Sequence, residues 1–193
     1  MLLRLRVSSN NMFSTRHLAF ASLALAGLML VSFDVMAQKT PLPNFQKVNE
    51  HLFRGGQPKP EGFQQLKEMG VHTVIYLRSD DEKASKERAL AEAAGLSFIS
   101  VPLGNWSRPA KADIDKIMSM INDAGNQPVF VHCKRGADRT GTVIAIYRMT
   151  HDGWDAKQAS DEAQKFGIGW WQFAMRDFIH DYYRDIIKPN RPN

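Results

Sequence analysis

A lone cysteine, Cys133, is separated by five residues from an arginine in the run His132-Cys133-Lys134-Arg135-Gly136-Ala137-Asp138-Arg139-Thr140-Gly141. A thiol is a strong nucleophile only as its thiolate. A turn of backbone N–H groups that opens into a helix favours that form and also binds oxyanions. The amides of Lys134, Arg135, Gly136 and Ala137 would line such a cup, and Gly136 lets the backbone turn and come close to a ligand. The guanidinium of Arg139 is a planar fork matched to two phosphate oxygens. Together these groups suit attack of sulfur on phosphorus, with the cup holding the oxygens over which charge spreads in the transition state. Lys134 and Arg135 add positive charge, which suits a substrate carrying more than one phosphate; the competing reading is that both point to solvent.

The cup needs a strand to deliver the cysteine and a helix to open behind it. Residues 129–131 are apolar and β-branched and read as a buried strand. Residues 143–147 are almost all apolar and read as a buried helix. A short hairpin is expected over residues 45–54, turning at Asn49-Glu50. Helices are expected at 61–69, 81–94 and 111–124, and strands at 71–77 and 96–103. Asp155 is a candidate N-cap for a helix running to Phe166. Trp171, Met175, Phe178, Tyr182 and Ile186 recur with helical spacing and are expected to form the core-facing stripe of a terminal helix. The pattern predicts an α/β fold: a central, mostly parallel sheet of four to five strands with helices on both faces. Ligands of such sheets bind outside the carboxyl ends of the strands, which groups Cys133, residues 78–81 and residues 104–108 on one rim.

The motif of Cys133, Arg139, Thr140 and Gly141, with His132 ahead of it, resembles the phosphate loop of the cysteine-dependent protein tyrosine and dual-specificity phosphatases. The segment Leu52-Phe53-Arg54-Gly55-Gly56-Gln57-Pro58 resembles the opening of compact bacterial members, including the phosphatase domain of NAD-kinase fusions. No kinase domain is expected among the 193 residues. The resemblance implies a tyrosine-phosphatase-like fold with Cys133 as nucleophile and Arg139 as phosphate ligand. It implies that Thr140 hydrogen-bonds the thiolate, and it makes His132 and Gly141 supporting residues. It also places Arg54 near the substrate. Many relatives carry a general acid in a loop ahead of the cysteine, but residues 104–109 hold none, and Asn105 stands where one is expected. Asp138 is the best substitute, as in phosphoinositide phosphatases with Asp before the loop arginine. The competing reading is that it only binds loop amides. Asp80, Asp81 and Asp113 are reserves.

The expected activity is hydrolysis of phosphate monoesters, from phosphotyrosine to phosphoinositide or inositol phosphate. The alternative is a catalytically silent phosphate-binding module of the same fold. The chain is only mildly basic, with 25 Lys and Arg against 20 Asp and Glu, so a nucleic-acid partner is not expected. The histidines lack metal-ligand spacing; no metal or cofactor is expected, and a monomer is. Arg4, Arg6 and Arg16 precede an apolar stretch at 18–33 and Val35-Met36-Ala37. This reads as a signal peptide over residues 1–37, leaving a single domain over 38–193 exported to the periplasm. An uncleaved membrane anchor is the alternative.

Overall fold

The computed structural model describes residues 40–190. The expected signal segment therefore lies outside the described residues. Strands β1 (Gln46–Lys47), β2 (Leu52–Gly56), β3 (Thr73–Tyr76), β4 (Ser97–Ser100) and β5 (Val129–Cys133) form one sheet in the order β1-β2-β5-β3-β4. β1 pairs antiparallel with β2, and all other neighbours are parallel. The helices are α1 (Pro60–Glu68), α2 (Glu82–Ala93), α3 (Lys111–Asn122), α4 (Asp138–His151), α5 (Ala156–Lys165) and α6 (Phe173–Tyr182).

Strand alternation divides the core between the two faces of the sheet. Phe53, Val74, Tyr76, Phe98 and Phe130 pack with Phe63 and Leu66 of α1 and Ala84 and Ala91 of α2. Leu52, Ile75, Val129, Val131 and Cys133 point the other way. They join Ile114, Ile117 and Ile121 of α3 and the apolar residues of α4, α5 and α6. The sheet is thus mostly parallel and covered by helices on both faces, as expected. Two helix starts follow their caps. The Asp81 carboxylate accepts from the Lys83 and Ala84 amides at 2.9 and 3.3 Å. Asp155 accepts from the Gln158 amide at 2.8 Å, and the Gln158 side chain returns the bond.

Three expectations need correction. The strand expected over 96–103 ends at Ser100, because Pro102 has no N–H to give the ladder. Val101 and Leu103 nonetheless donate to Tyr76 and Leu77 at 2.9 and 3.1 Å. The terminal helix begins at Phe173, so Trp171 lies in the turn before it and is 40% exposed; only Met175, Phe178 and Tyr182 of the stripe are buried. Beyond Tyr182 the chain widens into a π-turn, Tyr183–Ile187, where Ile186 is only partly buried.

β5 is central, flanked in parallel by β2 and β3, and Cys133 pairs with Gly56 at its carboxyl end. The loop after Cys133 folds back onto β2. Gly136 has φ +71°, and a β-carbon there would meet the Gly55 carbonyl carbon and Gly56 nitrogen at 2.4 Å. Both the left-handed backbone and the contact demand glycine. Gly136→Ala should therefore destabilise the fold by about 1–3 kcal/mol, the range for overpacking, as read from urea unfolding; unchanged stability would show that the loop can lift off β2.

Candidate active site

Cys133 is 1% exposed and sits at the base of a cleft of about 550 Å³. Asn105, Trp106, Lys134, Arg135, Asp138, Arg139, Trp171 and Gln172 complete its lining. The nucleophile candidate, the arginine fork and Asp138 therefore meet in one space, between the end of β5 and the start of α4. Arg139 is 8% exposed and makes no ion pair among the described residues, and its Nε has no hydrogen-bond partner. A buried, unpaired guanidinium is poorly satisfied by protein alone, as befits a group that binds an anion.

Asp138 is the only carboxylate in the lining of the cleft. Its Oδ1 accepts the Gly169 amide at 2.9 Å and lies 3.7 Å from the Arg135 guanidinium. This oxygen thus binds a backbone amide, of Gly169 rather than of the loop itself, while Oδ2 makes no hydrogen bond among the described residues. The reserve acids are elsewhere: Asp81 caps α2, and neither Asp80 nor Asp113 lines the cleft. Hydrogen bonds from Ser79 and from the Lys83 and Ala84 amides hold the Asp81 carboxyl below its usual range.

Arg54 corrects an expectation. It does not line the cleft but is fully buried beneath the loop. Its Nη2 donates to the Gly136 carbonyl at 2.9 Å, and its guanidinium lies 3.9 Å from the centroid of the Phe166 ring. Burial pushes its pKa down to about 10, partly offset by Glu162 and by the Cys133 sulfur. It remains a cation at neutral pH and lies beneath the cup, outside the lining of the cleft. Thr140 also departs from expectation: its hydroxyl is buried and makes no hydrogen bond with the Cys133 sulfur or any other described group. Gly136 and Ala137 are buried, so they bound the cup by backbone, while Lys134 and Arg135 are exposed. Gly141 lies in the first turn of α4, 3.6 Å from the Ala163 β-carbon as measured from its own would-be β-carbon, so it serves helix packing.

His132 faces away from the cleft, because neighbours on a strand point to opposite sides. Its Nε2 lies 2.8 Å from Glu87 Oε1, with both residues buried, although without the alignment of a hydrogen bond. Glu87 Oε2 accepts from Gln57 Nε2 at 2.8 Å, and Gln57 Oε1 accepts from Arg78 Nη1. This chain, buried at His132 and Glu87 and partly buried at Gln57 and Arg78, ties β5, the end of β2 and α2 together. The sequence reading missed Glu87, although Ala84, Glu87 and Ala91 share the buried stripe of α2. It also missed the wall formed by residues 166–172. There the Gly167 carbonyl accepts from Arg135 at 2.6 Å, and Gln172 Nε2 donates to the Asn105 carbonyl at 3.1 Å. Among the described residues no cluster of His, Cys, Asp or Glu could hold a metal ion.

A family model described as "DSP-PTPase phosphatase fused to NAD+ Kinase" matches residues 33–181. Inositol diphosphatase DSP5 of Arabidopsis thaliana is 30% identical over 152 residues, 77% of this chain and 72% of that protein. Dual specificity protein phosphatase TpbA of Pseudomonas aeruginosa is 30% identical over 130 residues, 67% of this chain but only 57% of that protein. Among solved structures, the core catalytic domain of the PP-IP phosphatase SIW14 from S. cerevisiae has a TM-score of 0.64 at 23% identity, over 78% of this chain and 91% of that one. P. aeruginosa TpbA has a TM-score of 0.58 at 26% identity, over 74% of this chain and 92% of that one. The motif, the mostly parallel sheet and the cleft agree with these likenesses: the chain belongs to the family of phosphatases related to those fused to NAD+ kinases, within the cysteine-dependent protein tyrosine phosphatase superfamily.

Proposed function

We propose that this protein hydrolyses phosphate monoesters through a cysteinyl-phosphate intermediate. The observation that carries the reading is the convergence of Cys133, Arg139 and a single carboxylate, Asp138, in one cleft at the carboxyl end of the central strand. In the first step the Cys133 thiolate forms a sulfur–phosphorus bond while the ester oxygen–phosphorus bond breaks. The leaving oxygen takes a proton from Asp138. In the second step water attacks phosphorus, its proton passes to Asp138, and the sulfur–phosphorus bond breaks to release inorganic phosphate. Arg139 and the loop amides hold the phosphoryl oxygens throughout. The division of labour within Asp138 supports the acid role: Oδ1 is anchored by Gly169, which fixes the group, and Oδ2 is left to exchange the proton. This same carboxylate weighs against the silent-module reading.

Of the two extra cations on the loop, Arg135 is engaged by the Gly167 carbonyl and lies 3.7 Å from Asp138, whereas the Lys134 side chain has no partner among the described residues. Lys134 is therefore the group placed to take a second anionic group of the substrate. Relatives bear names that span both substrate types, inositol diphosphatase and dual specificity protein phosphatase. One solved P. aeruginosa TpbA structure is a complex with pTyr. The reading also includes export, with removal of residues 1–37 and a mature chain that starts at Gln38, supported by the basic and apolar order of the N-terminal sequence.

Phosphate release from an aryl phosphate should be abolished in Cys133→Ser, and Arg139→Ala should lose about 1,000-fold, at the lower end of what a transition-state arginine contributes. A chelator should leave the wild type active. Full activity in Cys133→Ser would overturn the mechanism.

Asp138→Asn separates the acid from a structural carboxylate. Nitrophenyl phosphate has a leaving group that departs almost unaided and should be hydrolysed nearly as before. Alkyl phosphates should slow by about 100- to 10,000-fold, the usual range for general acid catalysis. A common factor on both substrates would assign Asp138 to structure alone. Mass spectrometry of the protein from its own host should find Gln38 at the N-terminus; an intact Met1 in the membrane fraction would favour the anchor.

A further inference from the structure

Among the described residues six large apolar side chains stand exposed, and four of them are aromatic residues that line the cleft or adjoin its lining. Trp106 is 66% exposed, Trp170 71%, Trp171 40% and Phe173 62%. Trp106 and Trp171 line the cleft. Trp170 lies edge-on to Trp171 at 5.7 Å and to Phe173 at 6.3 Å, so these three rings form one rim that reaches the cleft at Trp171. The bond from Gln172 to the Asn105 carbonyl holds the loop of Trp106 to this rim. The cleft is cationic, with exposed Lys134 and Arg135 above Arg139 and only Asp138 against them.

A small phosphorylated molecule in the cleft would reach Trp106 and Trp171. It would not account for Trp170 and Phe173, which stand outside the cleft. Solvating such rings is unfavourable unless a further apolar surface covers them. Tryptophan beside cations is the composition of a face that sits at lipid headgroup level, with rings among the chains and positive charge towards anionic headgroups. A stable protein interface takes about 800 Å² per partner. Rings that bury about 150–250 Å² each when fully covered, and are already partly covered here, fall short of that area. Lipid binding has no such minimum; it scales with apolar area and charge.

We infer that the mouth of the cleft docks on an anionic bilayer surface, so that the phosphate monoester it receives is carried by a lipid headgroup. For the substrate, this rests on the phosphatase reading above. The rim inserts Trp170 and Phe173, and the cleft then opens towards the headgroup layer with Lys134 facing its charge.

The test uses the full chain with vesicles of phosphatidylcholine and phosphatidylglycerol whose acyl chains are brominated. Tryptophan emission should be quenched in the wild type and largely spared in Phe173→Ser, which keeps every tryptophan. Both chains carry the same N-terminal segment, so a difference between them reads the rim. With phosphatidylinositol phosphate in vesicles, removal of Trp170 and of Phe173 should each lower kcat/KM about tenfold, the loss expected from one large apolar side chain no longer buried. Turnover of a soluble aryl phosphate should not change. Unquenched emission, or quenching unaltered in Phe173→Ser, would overturn the inference. So would an equal loss on a soluble phosphotyrosyl peptide, which would make the rim a peptide seat. If the wild type released no phosphate from any substrate, the phosphatase reading would fall, and the quenching would still decide the docking.

Discussion

The site depends on one close approach, that of the loop after β5 to the end of β2. Gly136 lies so near the Gly55 and Gly56 backbone that no side chain fits between them. The Gln57 amide reaches the Lys134 carbonyl at 3.3 Å, and Arg54 holds the Gly136 carbonyl from below at 2.9 Å. This contact bends the chain sharply between strand and helix. The bend sets Cys133 at the foot of α4, where the helix terminus and Arg139 make the surroundings electropositive. If the loop lifted off, cysteine and arginine would keep their spacing in sequence but lose their shared space.

The floor beneath the loop is polar and nearly closed. Arg54 is stacked on Phe166 and fully buried, with Glu162 as the nearest countercharge by its electrostatic effect. On the other face of the sheet, buried His132 and Glu87 continue into partly buried Gln57 and Arg78 as one chain of contacts. Buried polar groups of this kind hold their neighbours in one arrangement, because breaking any link leaves a desolvated partner. The two supports act from opposite sides of β5, which leaves the nucleophile little freedom to shift.

The wall opposite β5 comes from residues 166–172, between α5 and α6. It gives an amide to Asp138, a carbonyl to Arg135 and Trp171 to the lining. Arg148 fixes α5 against α4 by pairing with Glu162 at 3.0 Å in a largely buried position. The orientation of Asp138 thus rests on the packing of two helices as well as on the loop sequence.

The amino-acid sequence by itself determined the strand–loop–helix unit around Cys133 and the alternation that makes an α/β sheet. It also determined the helix starts at Asp81 and Asp155. These are local properties: side-chain periodicity, capping oxygens and glycine each act within a few residues. The roles of Arg54, Glu87 and Trp171 were decided only in the tertiary structure. Arg54 reads as a residue near the substrate until β2 lies beside β5 and buries it under the loop, and Glu87 reads as one more charge on a polar helix. Trp171 fits a helical stripe until the chain turns before Phe173 and leaves it at the cleft. Which of the candidate acids shares the cleft with Cys133 is a matter of packing. Asp138 is favoured in the sequence by its place beside Arg139, but the path of the backbone is what keeps Asp80, Asp81 and Asp113 out of the cleft lining.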